Sequence, residues 1–193
     1  MRKIAREPKG AGCFSPGEDL VIAGAVGKAG VLEALSAKHD VLENRFTADF
    51  LSLAGKKAME HLNLTPEFLL ACGATEWEEA AEGGVFAALW NISGAYGRGF
   101  SVSLLDIPVE QEFIEVCELF DLNPSRLMSG ECLILAADNG GDLVRALKEL
   151  GIRSAVVGKV EAGIARKIIG PGGTGYLERP QPDETYKLRQ QEA

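Results

Sequence analysis

The chain has 193 residues, of which 46 % are apolar and 25 % charged, and its formal net charge is −8. This is enough apolar material for one packed core. The acidic balance disfavours a nucleic-acid partner, because phosphate recognition relies on Lys and Arg.

Residues 1–14 are basic and rich in Gly and Pro, and read as a loosely docked lead-in. The body opens at the turn Ser15-Pro16-Gly17, followed by a short apolar strand over Leu20–Ala23. A helix is predicted over 28–38. Thr47 is placed to cap the next one, whose apolar face is Leu51, Ala54, Ala58 and Leu62. Thr65 followed by Pro66 predicts a third helix start. Residues 74–78 allow a strand. A helix from Glu82 or Gly83 would bury Val85, Ala88, Leu89 and Ile92.

After the break at Gly97–Gly99, residues 100–104 alternate as a strand. Phe113, Val116, Cys117 and Phe120 mark a helix, and 131–137 a strand. Leu143, Leu147 and Leu150 mark a helix that stops at Gly151. Residues 153–160 form another strand, with 164–169 expected to pair beside it. From residue 181 to 193 the chain turns polar and reads as a tail. Interleaved strands and helices imply an α/β sandwich with helices on a mixed sheet.

The four cysteines are scattered without a Cys-x-x-Cys pair, and His39 and His61 are the only histidines. No zinc site or disulfide framework is expected, and reduced thiols point to the cytoplasm. No run reaches the roughly 18 apolar residues of a membrane span. Four segments carry residue types suited to chemistry. Gly24–Lys28 follows a strand and precedes a helix, but its glycines are too close and Ala29 stands where a magnesium-holding hydroxyl would be, so it reads as a turn. Gly83-Gly84 opens an amphipathic helix and could offer bare N–H groups to a phosphate, or could allow close packing. Glu76, Glu78, Glu79 and Glu82 could hold magnesium, but read more simply as a solvated cap. The Gly170–Gly175 run has no helix behind it and reads as a loop between short strands.

The segment Gly73–Trp90 resembles the Asp-x-Thr-x-Gly-Gly motif of the aminoimidazole-ribonucleotide (AIR) synthase-related family. The segments from Pro16, Ile107, Cys117, Ser129 and Ala155 follow that family's order, so the likeness covers about 15–180 and is nearest to the hydrogenase-maturation dehydratase branch. The resemblance implies a three-layer α/β/α, partly ferredoxin-like, C-terminal domain. It also implies ATP and Mg²⁺ chemistry at a site shared with an N-terminal domain, with Glu79, Glu82, Gly83 and Gly84 as this chain's cofactor-binding residues.

Three departures limit that inference. The family's N-terminal half is absent from this sequence. Glu79 and Ala81 replace the motif's aspartate and threonine. The chain ends without the cysteine of the dehydratase branch. Catalytic residues are therefore not assigned, no metal ligand set is named, and activity of the chain alone is not expected. The first expectation is a half-site protein that binds a second copy of itself or a separately encoded N-terminal half. The alternatives are an ATP-dependent enzyme subunit and a small-molecule-binding regulatory domain.

Overall fold

The computed structural model describes residues 7–190. Its strands are β1 (Asp19–Ala23), β2 (Ala74–Glu79), β3 (Gly99–Ser103), β4 (Leu133–Ala137), β5 (Ser154–Glu161), β6 (Arg166–Gly170) and β7 (Gly173–Tyr176). They form one mixed sheet in the order β2-β4-β1-β5-β3-β6-β7, antiparallel except where β6 lies parallel to β3.

The helices are α1 (Lys28–Ala37), α2 (His39–Glu43), α3 (Ala48–Ala58), α4 (Pro66–Ala71), α5 (Gly84–Tyr96), α6 (Gln111–Leu119), α7 (Gly140–Glu149) and α8 (Tyr186–Gln190). Two helix starts follow directly from sequence. Thr47 accepts from Phe50 N at 3.3 Å and Thr65 from Phe68 N at 3.2 Å, each satisfying an orphan donor of the first turn.

Strand alternation divides the apolar residues between two faces. On one face Leu20, Ile22, Phe100, Val102 and Ile134 pack against Val85, Leu89 and Ile92 of α5. On the other, Val21, Ala23, Leu135 and Ala137 pack against Leu69 of α4 and Leu143 and Leu147 of α7. The result is a three-layer α/β/α domain, as the sequence implied. A third cluster, Val31, Leu42, Ala58, Phe113 and Leu188, joins α1, α2, α3, α6 and α8 beside the sheet.

The structure corrects one pairing. The strand expected over 164–169 does not lie beside 153–160, because both sides of β5 are taken by β1 and β3. It begins at Arg166 and pairs with β3 and β7 instead. The terminal segments are also more ordered than polar composition suggested. Of the lead-in expected over 1–14, residues 1–6 lie outside the described residues. In the remainder, Lys9 N and Gly10 N donate to the Glu76 carboxylate at 3.0 and 3.2 Å, and Phe14 is buried. Of the tail expected over 181–193, residues 191–193 lie outside the described residues. In the remainder, Leu188 is buried in the third cluster.

Candidate functional site

Strands β1, β2, β3 and β6 run in one direction and finish at the same end of the sheet. From that end emerge the starts of α1 and α5, and the loops that enter β4 and β5 return to it. All four sequence-predicted site residues lie here.

Glu79 closes β2 with its side chain exposed and accepts from Glu131 N at 3.3 Å. Glu82 is exposed two residues before α5. Gly83 is the left-handed N-cap of α5, at φ 77°, and Gly84 is also left-handed, at φ 65°. A side chain on Gly84 would set its first carbon 2.5 Å from the Leu127 carbonyl oxygen and 2.8 Å from that of Ser125. Close packing against this loop therefore requires the second glycine. The N–H of Gly83 donates to the Asp183 carboxylate at 3.0 Å, across 100 residues. The helix start thus holds an anion, as its dipole favours, and that anion belongs to the chain itself.

The acidic residues Glu76, Glu78, Glu79 and Glu82 do not converge on a magnesium site. Glu76 and Glu78 lie opposite Ala136 and Ile134 and share their face of the sheet. Glu76 is fully buried and also accepts from Trp77 N and the Tyr96 hydroxyl, while Glu78 lies 3.8 Å from Lys9 Nζ. Among the described residues no group of three or more His, Cys, Asp or Glu is arranged to hold a metal ion.

A second group at this end was not legible as a unit. Lys28, buried at the first position of α1, donates to the Glu60 carbonyl and the Glu131 carboxylate, both at 2.6 Å. His61 Nδ1 lies 3.1 Å from the same carboxylate. The Lys28 hydrogen bond, with His61 second, holds the Glu131 carboxyl down to about 2. Glu131 sits at φ 46°, a sparsely populated region for a residue with a side chain. These groups line a cleft of about 210 Å³ with Lys57, Glu110 and Arg153. Lys57 bridges Glu110 and Glu112 at 2.7 Å each, and Arg153 meets Glu110 at 2.9 Å. Only the unusual turn at Gly24–Lys28 could have pointed here.

The remaining motifs have structural roles. Gly27 N donates to Ser129 Oγ at 2.7 Å, so the α1 start is closed by the chain, consistent with a turn rather than a phosphate loop. Residues 170–175 form the turn of the β6–β7 hairpin and most of its second strand. Burial pushes the thiols of Cys117 and Cys132 up to about 12, which suits core packing and not nucleophilic chemistry. Among the described residues no helix is long and apolar enough to cross a membrane.

The architecture matches about half of the chain in each of two solved structures. Neither a known family's sequence pattern nor a curated protein sequence matches the chain. Among solved structures, E. coli HypE superposes with a TM-score of 0.72 at 23 % identity, covering 93 % of this chain and 55 % of that one. Thiamine-monophosphate kinase from Stenotrophomonas maltophilia K279a gives 0.63 at 17 % identity, over 87 % of this chain and 54 % of that one. T. maritima PurL complexed with ATP gives 0.56 at 14 % identity, over 93 % of this chain and 27 % of that one. The chain therefore spans about half the length of HypE and of the kinase, and what it shares with all three is the fold.

Proposed function

We propose that the chain is a partner-completed half-site, an AIR synthase-related C-terminal-type domain that receives a second polypeptide across the end of its sheet. That polypeptide is another copy of the chain or a separately encoded N-terminal-half protein. One observation carries the reading: the Asp183 carboxylate occupies the Gly83 N–H at 3.0 Å, where a phosphate oxygen would otherwise be received. The exposed carboxylates of Glu79 and Glu82 beside it would repel a phosphate unless a cation stood between them. Exposed Leu105 and Met128 at the same end give a partner apolar surface to cover.

ATP and Mg²⁺ enter this reading only in composite form. Gly83 and Gly84 would lie beside the phosphates once Asp183 moves away. Glu79 and Glu82 would face the cation, and the partner would supply the remaining ligands. HypE and PurL have each been crystallised with ATP, which supports the nucleotide as the ligand to try first.

Calorimetric titration with ATP and Mg²⁺ tests the proposal. The wild-type chain alone is expected to show no binding tighter than about 1 mM, and Asp183→Ala to bind at least tenfold more tightly than wild type. Micromolar binding by a monomeric wild-type chain would overturn the reading, since no partner would then be needed.

A further inference from the structure

A second cleft, of about 470 Å³, opens between the first turn of α5, the 3-10 turn Pro124–Arg126 and the β6–β7 hairpin. We propose that it binds a neutral planar nitrogen heterocycle of nucleobase size. The inference does not depend on the phosphate position at Gly83 or on a partner chain.

The walls supply two flat surfaces. The half-buried ring of Phe86 carries the Arg126 guanidinium at 5.7 Å from its centroid, and Tyr176, 70 % exposed, also lines the cleft. A guanidinium held on an aromatic ring is itself a platform for a further flat, polarisable ring.

The polar groups are incompletely used by the chain. Arg126 has carboxylate oxygens of Glu178 at 3.6 Å and of Glu184 at 4.0 Å. Both distances exceed those of a charge-assisted hydrogen bond, about 2.7–2.9 Å. Glu184 is engaged elsewhere, accepting from Asn123 N at 2.7 Å and Lys187 Nζ at 3.1 Å. The guanidinium N–H groups therefore remain available. Ser125 also lines the cleft. It is only 7 % exposed. A hydroxyl there can donate to or accept from a ligand atom.

Charge selects the ligand class. Arg126 and Glu178 cancel, and Lys187 offsets Glu184, so an anion gains little here. A neutral edge that presents acceptors to Arg126 and a donor to the Glu178 carboxylate fits better. Heterocycles with ring nitrogens, carbonyls and N–H groups offer that edge, whereas a saturated ring offers neither the edge nor the stacking face. The volume is within the usual range for small-molecule sites, roughly 300–1,000 Å³.

The test is saturation-transfer NMR on the full chain with guanosine and adenosine, using cyclohexanol as the saturated control. Neither nucleoside carries a phosphate, so the result is separable from the fate of the phosphate position. Transfer to the base protons of at least one nucleoside is expected, with none to cyclohexanol. Arg126→Gln and Tyr176→Ala should each weaken binding at least fivefold. Tyr176 is exposed on an edge strand, so its replacement should leave the thermal midpoint unchanged and remove unfolding as an explanation. Absence of transfer to both nucleosides, equal transfer to cyclohexanol, or binding indifferent to both substitutions would overturn the proposal.

Discussion

Glu131 combines an uncommon backbone conformation with contacts to three segments of the chain. Its side chain receives Lys28 of α1 at 2.6 Å and meets His61 after α3, while its N–H donates to Glu79 at the end of β2. The folded carboxyl titrates near 2, against an ordinary 4.5. The associated stability is therefore fully present above about pH 4.5 and is lost as pH falls towards 2. The Glu131 side chain is 40 % exposed, so solvent screening limits the contribution of the pair itself. Lys28, however, is left buried without its carboxylate when Glu131 is removed. Glu131→Gln should destabilise by about 1–2 kcal/mol at pH 7. Its denaturation curve should converge with wild type as both are acidified to pH 2. A gap that persists unchanged at pH 2 would show that the ion pair is not the source. The sequence could not reveal this cluster, because Lys28 and Glu131 are 103 positions apart and neither lies in a recognisable ligand spacing.

At the scale of elements, the start of α5 separates two uses of glycine that look identical in sequence. Gly84 needs its hydrogen because backbone carbonyls of Leu127 and Ser125 stand where a Cβ would go, and backbone cannot move aside cheaply. A Cβ on Gly83 would meet the Ala87 side chain at 2.9 Å and the Gln181 carbonyl oxygen only at an ordinary 3.5 Å, and its N–H donates to Asp183 of the tail. Gly84→Ala should therefore cost roughly 2–4 kcal/mol, through overpacking added to left-handed strain. Gly83→Ala should cost about 1 kcal/mol, mainly from backbone conformation. Urea titration of the two variants checks the order, and equal losses would contradict the packing argument. Helix starts marked by Thr47 and Thr65 could be read directly, because a cap is a contact within four residues. The position of β6 could not, because its neighbours are decided by which sheet edges are already occupied. The docking of α8 is hidden for the same reason: the helix is polar apart from Tyr186 and Leu188, and only Leu188 is buried, at 1 % exposed. Leu188→Ala should cost about 2–3 kcal/mol, far more than truncation in a loose tail would.

At the scale of the whole molecule, two exposed apolar side chains stand at the end of the sheet where a partner is proposed to dock. Leu105 follows directly after β3 and is 77 % exposed, while Met128 stands in the loop leading towards β4. An exposed leucine contributes little to the fold, so Leu105→Asp should change stability by less than about 0.5 kcal/mol. If a second copy covers this end, the same charge would be buried without a partner on association, and on both subunits of a symmetric pair. Light scattering over a concentration series should then show wild type passing from monomer to dimer while Leu105→Asp stays monomeric with an unchanged thermal midpoint. A wild-type dimer that survives the substitution would place the contact elsewhere on the molecule. A wild-type chain that stays monomeric at every concentration would remove the second copy as the occupant. A different polypeptide would then have to cover Leu105, and its binding should be abolished by the same aspartate, since burial of that charge is unfavourable whichever apolar surface meets it.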